Sequence, residues 1–337
     1  EIWKILTKNK SSIGHAILLK GKKGIGKLEF AKSLAKSLLC EDRLSENQAC
    51  GSCSGCRWFE QAGHPDFYLV EPEALSESSG ESKDKPSSAK LKKKPSKQIS
   101  VAQIRALNDV VNMSSHRNGY KIVIISPAEA MNAAAANALL KNLEEPPPQT
   151  LLILVTHRPH HILATIHSRC RQIAMPVPDF NLAIDWLERQ DVEGAQDSLA
   201  AVGYAPLAAL EYNNGDYRLE HENFINNISV LNGLNPILLA EELQKSDLPT
   251  TISWLQKWCY DLMSCRTTGK IRYHLSMQAE IEELVPKIEP LKLARYLRNL
   301  IDMQRLAHHT LNPRLFLEEA FISYAMLMAP ARSNQRG

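Results

Sequence analysis

The chain has 337 residues, 44% hydrophobic and 23% charged, with a net charge of +3. That length allows two or three domains with separate cores. No apolar run approaches the ~20 residues of a membrane span, and the opening Glu1-Ile2-Trp3-Lys4 lacks the apolar centre of a signal peptide, so the chain reads as cytosolic. The start at Glu1 points to a missing initiator Met, with some residues after it. Most of the positive charge is local: residues 81–97 hold seven lysines and two acids, a net +5, which leaves −2 for the rest. A weakly acidic remainder is a poor electrostatic case for a protein that grips DNA by itself.

Along the chain, Ala16–Leu19 is a short apolar run that reads as a strand and leads into a glycine-rich loop. Leu28–Leu39 has helical spacing through Phe30, Leu34, Leu38 and Leu39. Phe67–Val70 reads as the next strand. Residues 72–98, rich in Ser, Lys, Glu and Pro, have no apolar face and are expected to be a disordered insertion. Val101–Met113 is amphipathic, Lys121–Ile125 is a buried strand, and Met131–Glu145 is an alanine-rich helix that must stop before Pro146-Pro147-Pro148. Leu151–Val155 is another buried strand. Strands alternating with helices predict an α/β domain with a parallel sheet covered by helices on both faces. After Pro176-Val177-Pro178 only helical periodicity remains. Asn181–Gln190 and Ala195–Val202 read as small helices, Leu293, Leu297, Leu300 and Ile301 mark a long one, and Leu315–Met328 is the last. Residues 176–178 form the sharper domain boundary and residues 212–216 a softer one.

The most specific chemical signal is Cys40 followed by Cys50-Gly51-Ser52-Cys53-Ser54-Gly55-Cys56. Two overlapping C-x₂-C steps and an upstream cysteine supply four thiolates for a structural, tetrahedral Zn²⁺. Disulfides compete, against a chain that reads as cytosolic, and an iron–sulfur cluster is a further alternative. Cys170, Cys259 and Cys265 are scattered and read as structural. His157, His160, His161 and His167 cluster in sequence; a polar loop at the sheet edge is the plainer reading than a second metal site. Lys90, Lys92, Lys93 and Lys94 read as a solvated linker before they read as a nucleic-acid contact.

Gly21-Lys22-Lys23-Gly24-Ile25-Gly26-Lys27 fits a phosphate-binding loop through its lysine, in the strand–loop–helix setting that such a loop requires. Gly21, Gly24 and Gly26 would admit phosphates to the backbone N–H groups, and Lys27 would neutralise them. The next position should carry a hydroxyl for Mg²⁺ and carries Leu28. The strand Ile122–Ile125 should end in one acid that completes the metal site and another that activates water. It ends in Ser126-Pro127, with Glu129 displaced from both positions. Two separate lesions predict that ATP/Mg²⁺ is not hydrolysed here, while nucleotide binding without hydrolysis stays open.

The segment from Asn132 to Pro147, Asn-Ala-Ala-Ala-Ala-Asn-Ala-Leu-Leu-Lys-Asn-Leu-Glu-Glu-Pro-Pro, resembles the signature helix of bacterial sliding-clamp loaders. With the cysteine module, Ser168-Arg169-Cys170 after the strand 151–155, and Asn312-Pro313-Arg314-Leu315-Phe316-Leu317-Glu318, the resemblance covers nearly the whole chain and fails only at 72–98. It implies an AAA+ ATPase-like α/β domain over residues 1–177 with its zinc module at 40–56, a small helical lid over 178–214 and an all-α collar over 215–330, through which five subunits form a ring. Active members carry a lid arginine after a glycine turn. Here Gly203-Tyr204-Ala205-Pro206-Leu207-Ala208-Ala209-Leu210 has proline at that position, a third loss.

Within the family, the broken site resembles a non-hydrolysing subunit of the DNA polymerase III loader. The implied role of Arg169, with Ser168 and Cys170 as its motif, is an arginine finger on ATP held by an adjacent gamma/tau subunit. The implied partners are gamma/tau and delta subunits, with the sliding clamp and primed DNA met through the complex; DNA-directed DNA polymerase activity belongs to the holoenzyme. Two other classes remain: an active gamma/tau-type ATPase, opposed by Leu28, Ser126 and Pro206, and a zinc-ribbon nucleic-acid-binding protein. The latter draws on Arg57, Trp58 and Phe59 and is opposed by Glu41, Asp42, Glu46 and Glu60.

Overall fold

Five parallel strands organise the first part of the chain: β1 (Ala16–Lys20), β2 (Phe67–Val70), β3 (Lys121–Ile125), β4 (Thr150–Thr156) and β5 (Arg171–Ala174), in the spatial order β2-β3-β4-β1-β5. This computed structural model describes residues 2–7, 13–76, 95–112, 119–213, 216–230, 234–307, 309 and 311–329. They fall into two compact units, Glu1–Val177 and Pro178–Gly337.

The central strands are apolar throughout because both sheet faces are covered. Side chains alternate between faces along each strand. Leu18, Val123, Ile125, Leu152 and Leu154 pack on one face, under α5 (Val101–Asn112) and α6 (Ala133–Glu144). Ile17, Leu19, Ile122, Ile124, Leu151, Ile153 and Val155 pack on the other, under α1 (Ile2–Thr7) and α2 (Lys27–Leu39). The register pairs Ile17 with Ile153 and Val123 with Leu152, so each layer runs continuously across strands. α3 (Ser54–Glu60) belongs to the cysteine module, and α4 (Glu73–Ser76) and α7 (Ala164–His167) are single turns.

Three sequence expectations change. The strand β5 is absent from the sequence reading because Arg-Gln-Ile-Ala at a sheet edge has one partly buried residue, Ile173, in place of an apolar run. The alanine-rich helix starts at Ala133, two residues late, because the Asn132 side chain accepts the Ala135 N–H and caps it there. The expected disordered insertion 72–98 is narrower at its described ends. Residues 73–76 form α4, and the Ala74 N–H bonds the Ser96 carbonyl at 3.1 Å. Residues 77–94 lie outside the described residues.

Every element described after residue 177 is helical: α8 (Phe180–Glu188), α9 (Ala195–Ala201), α10 (Pro206–Asn213), α11 (Asp216–Ser229), α12 (Pro236–Leu243), α13 (Leu248–Thr268), α14 (Gln278–Leu284), α15 (Pro290–Leu306) and α16 (Pro313–Met328), with short 3₁₀ turns between some of them. They form two apolar clusters. The smaller joins Ala183, Leu187, Leu199 and Ala209, and the larger gathers α11 to α16 around Trp258, Phe321 and Tyr324. Trp258 Nε1 donates to Tyr324 Oη at 2.8 Å, and Tyr324 Oη donates to the Ile228 carbonyl at 2.9 Å. That chain satisfies two aromatic polar groups that would otherwise be buried without partners. Asp261, fully buried on α13, accepts the backbone N–H groups of Arg272, Tyr273 and His274 and is 2.8 Å from His274 Nδ1, which fastens the segment after α13 to that helix.

Candidate functional site

The glycine-rich loop expected to bind phosphate joins the carboxyl end of β1 to α2, the edge at which open α/β sheets bind ligands. Gly24 and Gly26 sit at φ +80° and +88°, where a side chain would be strained. Gly21 is required for another reason: a Cβ there would lie 2.8 Å from the Met175 carbonyl oxygen. Lys27 is 2% exposed, and its Nζ donates to the Gly21 carbonyl at 2.8 Å and to the Lys22 carbonyl. Burial pulls its pKa down to about 8, against the opposing pull of Glu129 and Glu29. Leu28 is partly buried and packs against the apolar residues of the sheet face, so an apolar side chain stands where a metal ligand is expected.

Ser126, buried at the end of β3, donates its backbone N–H to Val70, and the chain turns through Ala128–Ala130. Glu129 is displaced in sequence from the strand end, yet the turn returns it to the same sheet edge. Its Oε1 accepts the His157 N–H at 3.0 Å, while its buried Oε2 has no partner among the described residues. His157 is drawn down to about 4, first by burial and then by the nearby positive Lys27. This contact between a carboxylate and a backbone N–H was not legible in the sequence, because Glu129 and His157 belong to different strand ends.

The four cysteines converge. Cys40 Sγ lies 3.6 Å from Cys50 Sγ and 3.8 Å from Cys53 Sγ, Cys50 Sγ lies 4.0 Å from Cys56 Sγ, and all four sulfurs fall within 4.8 Å of one another. A tetrahedral ion with metal–sulfur bonds of about 2.3 Å needs sulfurs roughly 3.8 Å apart, so the group could hold a metal ion. Backbone N–H groups of Cys50, Cys53 and Cys56 point at the sulfurs of Cys40, Cys50 and Cys53 at 3.3–3.4 Å, which orients them and favours the thiolate. Those contacts, with Ser52, bring the Cys50 thiol down to about 6. Burial instead raises Cys40, and raises Cys56 to about 12. An ion's own charge would dominate both effects. Gly55 seats the module, since a Cβ there would be 2.7 Å from the Leu39 carbonyl oxygen at the end of α2.

The remaining candidates separate. His160 and His161 are exposed, and His167 Nε2 lies 2.8 Å from the Pro159 carbonyl. Among the described residues the cysteines are the one group of three or more such ligands close enough to hold an ion. Cys170 and Cys259 are buried core thiols, raised by that burial, and Cys265 packs at the core's margin. Pro206 opens α10, a use suited to proline's fixed φ and missing N–H.

Arg169 lies between α7 and β5, before the strand begins. Because β1 and β5 are parallel neighbours, it stands at the amino edge of the sheet and the phosphate loop at the carboxyl edge. Four strand residues at about 3.3 Å each put the two roughly 13 Å apart along the strand direction. Arg169 Nη2 meets Glu144 Oε1 at 2.7 Å, and Nη1 donates to the Thr165 carbonyl at 3.0 Å and to Ser168 Oγ at 3.3 Å.

The family model described as DNA polymerase III, delta subunit, matches residues 2–179, and that described as DNA polymerase III, delta subunit, C terminal, matches residues 217–324. A Pseudomonas aeruginosa protein named DNA polymerase III subunit delta' is 32% identical over 334 residues, covering 94% of this chain and 93% of its own length. The Escherichia coli protein of the same name is 28% identical over 324 residues, with 94% and 90% covered. Among solved structures, a DNA polymerase III gamma subunit-related protein from Thermotoga maritima is 18% identical, with 97% and 98% covered and a TM-score of 0.44.

Proposed function

Because the chain belongs to the DNA polymerase III delta subunit family, we propose that it is a non-hydrolysing, delta'-type subunit of the clamp-loader complex. It helps place the sliding clamp on primed DNA, in a five-subunit ring with gamma/tau and delta subunits. Its small helical segment (178–214) serves as a lid in a subunit without turnover, and its collar (215–330) joins the ring. One zinc ion sits in the Cys40, Cys50, Cys53 and Cys56 group and holds the loop between α2 and α3; four protein ligands leave no position for water, so the ion's role is structural.

The observation that carries this reading is the placement of Arg169. It stands at the sheet edge opposite the chain's own phosphate loop, too far to serve a nucleotide there, and its side chain is 35% exposed. Its guanidinium therefore acts in trans, on ATP bound by an adjacent gamma/tau subunit, where a cation placed against the transferring phosphoryl group accelerates hydrolysis. Leu28 packed against the sheet face and Glu129 tied to a backbone N–H fit a subunit without turnover of its own.

The test is a complex reconstituted with Arg169→Ala. Ring assembly should survive, and ATP-dependent clamp loading should fall. Total ATP turnover should fall only in part, because other sites keep their own fingers. Loading and hydrolysis at the unmodified rate would remove Arg169 from the mechanism.

A further inference from the structure

Glu144 is the last residue of α6, followed by Glu145, and a helix C-terminus is where the helix dipole disfavours a carboxylate. Helix stability therefore does not account for an acid there. Its carboxylate is half-exposed and sits 2.7 Å from Arg169 Nη2. The same guanidinium is held on Nη1 by the Thr165 carbonyl and Ser168 Oγ. An isolated exposed ion pair contributes little, but here three acceptors from two segments fix one planar group. Both segments lie at the amino edge of the sheet, where α6 leads to β4 and α7 to β5. The side chain remains 35% exposed, so it is not sealed inside the chain.

We propose that Glu144 is a positioning residue for Arg169. Resting on the reading of Arg169 as a finger in trans, it holds the guanidinium in place before the neighbour's phosphate arrives, so that less side-chain freedom is lost when the site closes. Glu144 touches no nucleotide in this arrangement and acts only through the arginine.

The experiment is a mutant cycle in the reconstituted complex, with Glu144→Gln, Glu144→Ala, Arg169→Ala and the Glu144→Gln/Arg169→Ala pair. The readouts are clamp-loading rate, and kcat and KM for ATP. Glu144→Gln keeps the shape and removes the charge. It should lower kcat and loading several-fold, up to the loss shown by Arg169→Ala, with KM for ATP little changed. In the Arg169→Ala background it should have no further effect, a coupling that a merely structural residue would not show. Thermal unfolding of each variant chain checks that the fold is kept, and Glu144→Ala repeats the test without the amide. If Arg169→Ala is impaired while both Glu144 variants load normally, or if the losses are independent, the positioning role is wrong and the finger stands. If Arg169→Ala is itself silent, both are wrong.

Discussion

Glu129 accepts the backbone N–H of His157 at 3.0 Å, so this carboxylate joins the turn after β3 to the end of β4. Leu28 is partly buried against the sheet face and offers no oxygen, and the residue at the strand end, Ser126, is not a carboxylate. The isolated chain should release phosphate from ATP at the background rate, and Leu28→Thr alone should not change that, since the acids would still be missing. A Mg²⁺-dependent rate abolished by Lys27→Ala would overturn this expectation.

One metal ion per chain is expected in the cysteine group. Because thiolates are the ligands, a chelator at low pH should strip it. Loss should loosen the segment 40–60 and leave the sheet folded. Elemental analysis together with hydrogen exchange of that segment checks both points; iron in place of zinc would refute the assignment.

Gly55→Ala places a methyl 2.7 Å from the Leu39 carbonyl oxygen. The module must then move off the end of α2, at about 1–3 kcal/mol by the usual scale of overpacking. The expected readout is weaker zinc retention against a competing chelator, with thermal stability of the helical unit unaffected. Equal retention by variant and parent would show that this close approach is dispensable.

His221 is buried, with Nδ1 2.8 Å from Tyr212 Oη, and desolvation brings its pKa down to about 3, with His274 and Lys257 adding to the fall. In the folded chain it stays neutral until the pH nears that value, whereas the unfolded chain protonates it below about 6.5. Stability is therefore full above pH 6.5 and declines as pH falls from there toward 3, by about 2 kcal/mol at pH 5. His157, lowered to about 4, adds in the same direction. Denaturant midpoints between pH 7 and 5 should fall less steeply for His221→Gln than for the parent. Parallel slopes would mean that His221 does not titrate as argued.

Tyr324→Phe removes the acceptor of Trp258 Nε1 and the donor to the Ile228 carbonyl inside the largest core cluster. Two buried polar groups lose their partner, and unfolding should become easier by about 1–3 kcal/mol for each group left unsatisfied. Chemical denaturation measures it; a change within experimental scatter would mean that the pair relaxes or finds water.

The buried strands and the cysteine group were legible because each is written in contiguous or closely spaced residues. Leu151 to Val155 announces a strand covered on both faces, and Cys50, Cys53 and Cys56 carry their own spacing. What was hidden depends on distant partners. The strand at Arg171–Ala174 becomes one by pairing with β1, and its own residues carry little apolar signal. Glu144 reads as one acid of a charged helix end until the chain returns at Arg169. Glu129 looks misplaced in sequence because the turn that brings it back to the sheet edge has no pattern of its own.

Ala74 and Ser96 are joined by a backbone hydrogen bond, and the Glu73 carboxylate also accepts the Ser96 N–H at 3.4 Å. The described chain on the two sides of residues 77–94 is thus joined at one point. Whatever length separates these two residues, β2 and α5 see the same fixed exit and entry points, so sequence between them can be lengthened, shortened or replaced without transmitting strain to the sheet. For a protein engineer that is a port: an affinity tag or fluorophore spliced there should leave the cysteine module, Arg169 and the C-terminal helices undisturbed.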